Sequence, residues 1–259
     1  MKGYFKLIFP ALFIAGWEIA AILVNNPFVL PMVWDTLVVF TTPFTDLFGN
    51  GSLMENALVS IYRVSLGFII ACIIAVPLGV LLGRYQVLEE FSDGLIQIFR
   101  PIPPIAWVPL SLAWFGLGEP GNPAPASIEY IIVIGCLFPI LVNTIDGVKR
   151  IKKSWVETAR IYQANELQCL TKVIVPAAGP GIWNGLRIGF GIAWMSVVAA
   201  EMLPGTTTGL GYLILFAYNW NQEQIVIAGM IAIGLIGIVM DQFFQYVQRS
   251  KFRWEALDK

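Results

Sequence analysis

Six long apolar stretches dominate this chain and constrain its fold more than any other feature. They cover residues about 5–24, 56–83, 95–116, 127–146, 177–203 and 225–247. A helix that crosses the hydrocarbon core of a bilayer needs roughly 20 mainly apolar residues, and each stretch is close to that length. Charged residues make up only 13% of the chain, too few to cover the surface of a soluble protein of this size. We therefore expect an all-α membrane protein with six transmembrane helices, in which residues 1–259 form a single domain.

The distribution of basic residues predicts the orientation of these helices. The stretches 25–55, 117–126 and 204–224 contain no Lys or Arg. All but three of the 16 basic residues lie in the alternate connections or at the two ends of the chain. Connections on the cytoplasmic side of a membrane carry the excess of Lys and Arg. Both termini and the segment 147–176 are therefore predicted to be cytoplasmic.

The chain lacks the residues on which many enzyme sites depend. It contains no histidine, which excludes His-based acid–base or nucleophile pairs and the usual zinc sites. Its three cysteines, Cys72, Cys136 and Cys169, are too far apart to suggest a disulfide or metal framework. No G-x-x-x-x-G-K-[ST] loop is present, so ATP hydrolysis by this chain is not expected. The sequence predicts no catalytic residue, no metal ligand and no cofactor bound by this chain.

Small residues recur every four positions in two of the apolar stretches. The second stretch has them at 67, 71, 75, 79 and 83, and the fifth at 181, 185, 189 and 193. Helices in lipid associate by close van der Waals contact, so such spacing marks packed interfaces. We expect these two stretches to pack closely against other helices.

Proline interrupts two apolar stretches. The run RPIPP at 100–104 opens the third stretch, and Pro139 lies in the fourth stretch near Asn143. Non-helical backbone at membrane depth is tolerated where protein buries it or where it lines a water-filled cavity, so broken helices mark candidate transport paths. On this basis six residues are predicted to line a path: Pro104, Trp107, Trp114, Asn143, Met195 and Glu201. A simple kink without a transport role is the alternative.

Few charges lie within or at the ends of the apolar stretches, and they include Glu18, Arg100, Arg187, Glu201 and Asp241. Charged residues in spanning segments are costly, and they pair with one another or line water-filled paths. Either role is open for Arg187 and Glu201. No acidic residue lies clearly at the midplane, where a proton-driven carrier would place one.

The cytoplasmic segment contains two apolar patterns of helical period. Residues 150–175 read RIKKSWVETARIYQANELQCLTKVIV. The first pattern joins Trp155, Ala159 and Tyr162, and the second joins Leu167, Leu170 and Val173 or Ile174. These patterns predict two short amphipathic helices along the membrane surface that meet near residues 163–165. Such a pair is suited to docking a cytosolic protein. The alternative is a loop that only fixes the orientation of the helices, which would carry the same excess of basic residues.

Several segments resemble one protein family. Residues 157–160 (ETAR) and 173–178 (VIVPAA) resemble the EAA loop of binding-protein-dependent ABC importer permeases. Five further segments resemble the nitrate, sulfonate, taurine and bicarbonate branch of that family: 63–83, 100–119, 138–148, 185–202 and 208–214. The resemblance covers nearly the whole chain from about residue 30 onward.

The resemblance implies a fold, a function and a set of partners. The fold is that of type I (MetI-like) importer permeases in a prokaryotic plasma membrane. Two permeases, either two copies of this chain or this chain with a homologous one, would form the pathway and would be surrounded by membrane lipid. A cytosolic ATPase dimer would bind ATP and Mg²⁺ and dock on the EAA loops, while an extracytoplasmic binding protein would deliver the substrate. The implied function is import of a small anion by alternating access, and no nucleic acid is involved.

The resemblance also assigns coupling residues within the loop at about 147–176: Glu157, Thr158, Ala159, Arg160, Gln163, Ala164, Asn165 and Pro176. The family's acidic residue, which helps to fix ATPase docking, corresponds to Glu157, and Thr158 replaces the middle alanine. The family's turn glycine is Gln163 here. Because asparagine tolerates the left-handed backbone conformation better than most residues, we expect Asn165 to adopt it instead. The outer connection 119–127 also differs, since it is longer than is usual in the family.

Two other functions are compatible with parts of this pattern. The composition alone would also suit a stand-alone ion-coupled transporter or channel, which would need no partner. Within the ABC family, some permeases carry neutral or cationic vitamin precursors rather than anions. An intramembrane enzyme is disfavoured, because histidine, a G-x-S-x-G motif and a pair of acids at one membrane depth are all missing.

Overall fold

The computed structural model describes residues 5–47, 49–117, 122 and 125–252. Eleven α-helices occur in this part of the chain: α1 Phe5–Val24, α2 Val33–Thr41, α3 Leu53–Arg84, α4 Gln86–Phe99, α5 Val108–Phe115, α6 Ala126–Lys149, α7 Lys153–Ile161, α8 Glu166–Cys169, α9 Val175–Glu201, α10 Leu210–Asn219 and α11 Glu223–Lys251. A 3₁₀ turn, Pro104–Trp107, precedes α5, and a π turn, Leu170–Ile174, joins α8 to α9. Most of the predicted connection 119–127 lies outside the described residues.

Four helices in the described residues are long and apolar enough to cross a membrane. They are α3, α6, α11 and the continuous helix Glu166–Glu201 that includes α9. These four confirm the helices predicted at 56–83, 127–146, 177–203 and 225–247. The helix predicted at 5–24 is α1, with the expected bounds. Six crossings and cytoplasmic termini stay predictions.

The third apolar stretch does not form one helix. Helix α4 begins at Gln86, well before the predicted start at 95, and it ends at Phe99. The following helical segment Pro104–Phe115 is bent from α4 by 89°. The prolines at 101, 103 and 104 cause the break, because each lacks a backbone donor and disfavours helix in the residue before it. The expectation of backbone broken at the RPIPP run is confirmed, whereas a continuous helix over 95–116 is not.

The chain divides into two compact units. The first comprises Met1–Ile61 and Glu201–Ile236, and the second comprises Tyr62–Ala200 and Gly237–Lys259. In the first unit, the carboxylate of Glu18 on α1 accepts a hydrogen bond of 2.9 Å from the backbone N–H of Val33. Val33 is the first residue of α2, so Glu18 satisfies one of the unpaired donors at that helix start.

In the second unit, α6 packs against α3 and α9 through glycines. A Cβ atom on Gly79 of α3 would lie 2.6 Å from Cβ of Thr144, and one on Gly181 of α9 would lie 2.6 Å from Cα of Gly147. Ala71 and Ala75, in the same row of α3 as Gly79, are completely buried. The small-residue spacing therefore marks close helix contacts, as expected.

Candidate coupling site and pathway residues

The turn that follows α7 is closed by Gln163 in the left-handed conformation. Its φ is +58°, and its N–H donates to the carbonyl oxygen of Arg160 at 2.9 Å. The N–H of Ala164 donates to the carbonyl oxygen of Ala159 at 3.1 Å. These two bonds and the left-handed residue form a Schellman cap, in which that position usually holds glycine. The turn thus keeps the geometry that glycine would favour, with glutamine in its place.

Asn165 does not adopt the left-handed conformation, so that prediction is wrong. Its φ is −70°, and it is the N-cap of α8. Its side-chain oxygen accepts from the N–H of Gln168 at 2.8 Å, and the Gln168 side chain accepts from the N–H of Asn165 at 3.0 Å. This reciprocal pair is a capping box. Asparagine serves this position because its short side chain reaches the free N–H groups of the first turn.

The second amphipathic helix is not a separate element, contrary to expectation. It begins at Glu166 and continues through the π turn into α9, as far as Glu201. Pro176 lies just after the π turn. Because proline has no N–H and its ring clashes with the carbonyl four residues earlier, one regular α-helical hydrogen bond is lost at this point. The wider π turn accommodates the proline without ending the helix.

Helix α7 packs against the second unit through one side only. Val156 and Ala159 contact a small core that includes Val148, Cys169 and Ile174. Of the first predicted apolar pattern, Trp155 and Tyr162 are exposed. The second pattern is divided in the same way, since Leu167 is exposed and Ile174 is buried.

Three large apolar side chains surround the turn and face outward. The exposed fractions are 79% for Ile161, 83% for Tyr162 and 70% for Leu167. We call these three residues the apolar tip. Apolar groups gathered on a loop that is predicted to be cytoplasmic are typical of a protein-binding surface. The sequence analysis did not single out Ile161, because it falls outside both helical patterns.

Charged side chains tie the coupling segment to the ends of other helices in the second unit. The carboxylate of Glu166 accepts from Nη2 of Arg84 at 2.9 Å and lies 3.7 Å from Nη2 of Arg160. Lys149 pairs with Glu89 of α4. These pairs border a groove of about 680 Å³ whose lining includes Glu157. Glu166 was not a predicted site residue, since Arg84 is too distant in sequence for spacing to reveal the pair.

Gln163→Gly is expected to stabilise the protein slightly, by about 0.5 kcal/mol. Glycine has no Cβ atom, so it removes the steric strain of the left-handed conformation. It also adds conformational freedom to the unfolded chain, so the net gain in stability is small. Asn165→Gly is the matched change, and it should be neutral or mildly destabilising because it removes the N-cap side chain. Thermal unfolding of the purified variants measures both effects. The opposite order of stabilities would contradict the turn geometry described above.

Two predicted pathway residues, Trp107 and Trp114, meet at a common aromatic neighbour. Their rings lie 6.4 and 5.6 Å from the ring of Tyr130, between centroids. Pro104 lies at the start of the same broken segment and approaches Gly135 of α6, where an added Cβ would be 3.0 Å from the proline ring. The structure therefore places these residues beside α6, with Trp114 59% exposed.

Asn143 and Met195 lie apart from that aromatic group. Asn143 donates to the carbonyl oxygen of Pro139 at 2.8 Å and accepts from the side-chain amide of Asn184 at 3.0 Å. Its first bond lies within α6, which continues past Pro139 as one helix, so the break predicted at that proline is not observed. Met195 of α9 is 75% exposed. Their places on a transport path stay predictions.

Glu201, the sixth predicted pathway residue, is completely buried in the first unit. The hydroxyl of Ser60 lies 2.8 Å from each of its carboxylate oxygens, and the N–H of Gly211 donates to Oε2 at 3.0 Å. Gly211 belongs to the first turn of α10. A carboxylate at this position is stabilised by the free N–H groups and by the dipole of the helix. The geometry thus makes Glu201 an anchor for the start of α10.

Two polar side chains of α3, Asn56 and Ser60, also accept hydrogen bonds from the backbone at the start of α10. The side-chain oxygen of Asn56 accepts from the N–H of Gly209 at 2.7 Å, and the hydroxyl oxygen of Ser60 accepts from the N–H of Leu210 at 2.9 Å. Both side chains are buried. The sequence analysis missed Asn56 and Ser60, and the only signal was two polar residues four positions apart at the start of an apolar stretch.

The sequence matches a described family over most of its length. Residues 75–253 match the family described as the inner membrane component of binding-protein-dependent transport systems. That range includes the coupling turn, the broken third stretch and all of α6 and α9. The similarity therefore covers the elements from which the candidate sites are built.

Individual relatives extend the similarity to nearly the whole chain. A protein of Methanocaldococcus jannaschii named as an ABC transporter permease is 49% identical over 254 residues, which cover 98% of this chain and 93% of that protein. A permease of Bacillus subtilis named for aliphatic sulfonates transport is 34% identical, with coverage of 98% and 87%. Other relatives are named as permeases for bicarbonate, nitrate and taurine. The resemblance to this branch is confirmed.

A solved structure supports the fold independently of sequence. The inward-facing MetNI methionine ABC transporter matches with a TM-score of 0.65 at 17% identity, covering 77% of this chain and 95% of the other. At this identity the match concerns the fold alone, and it confirms the expected MetI-like architecture. Taken with the family match and the relatives, it shows that this chain belongs to the inner membrane components of binding-protein-dependent transport systems, a family of integral membrane permeases.

Proposed function

We propose that this chain is the permease subunit of an ATP-driven importer of a small anion, such as nitrate, a sulfonate, taurine or bicarbonate. The names of its relatives support this substrate class. The chain binds no cofactor and hydrolyses no ATP. A cytosolic ATPase dimer supplies ATP and Mg²⁺, an extracytoplasmic binding protein supplies the ligand, and a second permease completes the pathway.

The apolar tip is the observation that carries the coupling part of this proposal. Ile161, Tyr162 and Leu167 are each at least 70% exposed, although they are large and apolar. They project around a turn closed by backbone bonds and a capping box, so little conformational entropy is lost when a partner binds. A rigid apolar tip fits a hydrophobic cleft on the ATPase, and the charges of the neighbouring groove fix its orientation.

Force reaches the membrane through the continuous helix Glu166–Glu201. Because α8, the π turn and α9 form one helix, movement of the docked turn is transmitted directly along α9. ATP binding closes the ATPase pair and brings the two coupling turns together, which opens the pathway outward. Hydrolysis allows the return to the inward-facing state. ATP must bind the two states with different affinity for this coupling to operate.

Glu157→Ala is expected to weaken ATPase docking at least tenfold without affecting folding. The Glu157 side chain is exposed and makes no hydrogen bond or ion pair with the described residues. Its removal should therefore change the free energy of unfolding by less than about 0.5 kcal/mol. The measurement is the amount of ATPase that co-purifies with the tagged permease. Asp35→Ala, which removes an exposed acid from α2 in a predicted outer stretch, is the control and should retain the ATPase.

Affinity purification of the tagged chain from its native membranes in mild detergent tests the whole proposal. Mass spectrometry should find a P-loop ATPase in roughly equal amount, and a binding protein that can be screened with nitrate, taurine, alkanesulfonates and bicarbonate. A folded chain that repeatedly purifies alone would contradict the importer function. A binding protein selective for a ligand that carries no anionic group would contradict the substrate assignment only.

A further inference from the structure

An ion pair links α9 and α11 within the second unit. The Nε–H of Arg187 donates to Oδ1 of Asp241 at 2.7 Å. The other carboxylate oxygen, Oδ2, accepts from the side-chain amide of Gln245 at 2.8 Å. The side chains of Arg187 and Asp241 are 33% and 48% exposed, so the pair lies on the surface of this unit.

The position of Arg187 along α9 determines which surroundings it can face. From Val175 to Arg187 is 12 residues, and from Arg187 to Glu201 is 14. At 1.5 Å per residue, the arginine is roughly 18 and 21 Å from the two helix ends. On α11, Asp241 is roughly 27 and 15 Å from the two helix ends. A partly exposed ion pair this far inside two spanning helices is costly in lipid, and such pairs face the interior of the bundle or a water-filled cavity. This surface of α9 and α11 therefore faces the water-filled pathway or another protein.

The guanidinium of Arg187 retains free donors. Within the described residues, its only hydrogen bond is the one from Nε, so the four N–H groups on its terminal nitrogens remain available. These groups lie in a plane that matches the oxygens of carboxylate, nitrate or sulfonate. The Asp241 carboxylate, which also accepts a hydrogen bond from Gln245, contacts the guanidinium at Nε and leaves its two terminal nitrogens exposed.

We propose that Arg187 is an anion-binding residue of the translocation pathway and that Asp241 orients it and moderates its charge. This inference rests on the proposed import function, and it adds the residue that contacts the substrate within the membrane. The nearby carboxylate lowers the affinity for anions, because it offsets the positive charge when the site is empty. A pathway site needs such moderate affinity, since a tightly bound anion would not leave.

Charged thiol reagents near Arg187 provide the test. Ile188, the adjacent residue on α9, is 44% exposed and is changed to Cys. The control is Val239→Cys on α11, where the side chain is 63% exposed and apolar. Each variant, in membranes that contain its importer complex, is treated with an anionic or a cationic methanethiosulfonate. The unmodified chain supplies the background, because its three cysteines are buried or partly buried.

The expected result is an anion preference that depends on Arg187. After each rate is divided by the rate of the same reagent with glutathione, I188C should react about threefold faster with the anionic reagent than with the cationic one, because Asp241 offsets part of the arginine's charge. This ratio should rise to about tenfold or more in D241N, and it should fall below one in R187Q, where the Asp241 carboxylate remains. Millimolar nitrate or taurine should slow the anionic reagent only when Arg187 is present. V239C should react slowly with both reagents, as expected for a residue in lipid.

Two results would overturn the proposal. An I188C variant that resists both reagents would show that this surface is not aqueous, and an unchanged preference in R187Q would show that Arg187 does not attract the anion. If R187Q does not fold, the double variant R187Q/D241N removes both charges without leaving either unpaired. Co-purification of the ATPase is measured on the same membranes, so loss of the import function is recognised separately.

Discussion

Gly209→Ala is expected to destabilise the protein by about 3 kcal/mol or more, and little folded protein should be recovered. Gly209 precedes α10 with φ +111° and ψ 159°, a region that only glycine occupies without strain. A Cβ atom there would lie 2.3 Å from both Cδ and Oε1 of Glu201. The substitution therefore combines backbone strain with displacement of a buried carboxylate, and a carboxylate separated from its partners in the interior is costly.

Thermal unfolding and the yield of monodisperse protein after detergent extraction measure this effect. Gly49→Ala is the matched control for backbone strain, because Gly49 has φ +81° but no atom within 4 Å of the added Cβ. It should lose only about 1 kcal/mol. If the two variants were equally stable, contact with Glu201 would not be the source of the destabilisation.

Gly181→Ala is expected to destabilise the second unit by about 2–3 kcal/mol, and Gly181→Val by more. The added Cβ would lie 2.6 Å from Cα of Gly147 and 3.3 Å from its backbone nitrogen. Both are main-chain atoms, so no side chain can rotate away to make room. Helices α6 and α9 would have to separate, and this separation would remove their close van der Waals contact.

Gly191→Ala lies on the same helix and provides the control. No atom lies within 4 Å of the position that its Cβ would occupy, so the unfolding temperature should not fall. Alanine also favours helix over glycine, which adds a small stabilising effect. Equal unfolding temperatures for the two alanine variants would contradict the direct backbone contact between α6 and α9.

The coupling segment illustrates how far sequence reasoning reaches. The apolar pattern within residues 150–175 predicted a helix followed by a turn near residues 163–165, and α7 and the turn at Gln163 lie there. The sequence analysis did not identify Gln163 as the left-handed residue, because the choice between Gln163 and Asn165 depends on where α7 ends. The hydrogen bonds from residues 163 and 164 to residues 160 and 159 determine that end point, and the capping box makes Asn165 the N-cap of α8.

The buried anchor of α10 shows a second kind of limit. Glu201 was recognised as a costly charge at the end of an apolar stretch, and both pairing and pathway roles were open. Its partners Ser60 and Gly211 are 141 and 10 residues away in sequence. No local pattern links such residues, so only the folded chain shows that the carboxylate meets the first turn of α10.

The sequence by itself determined the membrane-protein class, the four long spanning helices, the broken third stretch and the family. These features follow from apolar length, proline chemistry and local motifs, all of which act over a few helical turns. Only the tertiary structure decided that α8 continues into α9, that Arg187 pairs with Asp241 and that Glu201 anchors α10. The last two depend on where distant segments meet, because the energies of ion pairs and of buried hydrogen bonds arise only when the chain brings those atoms together.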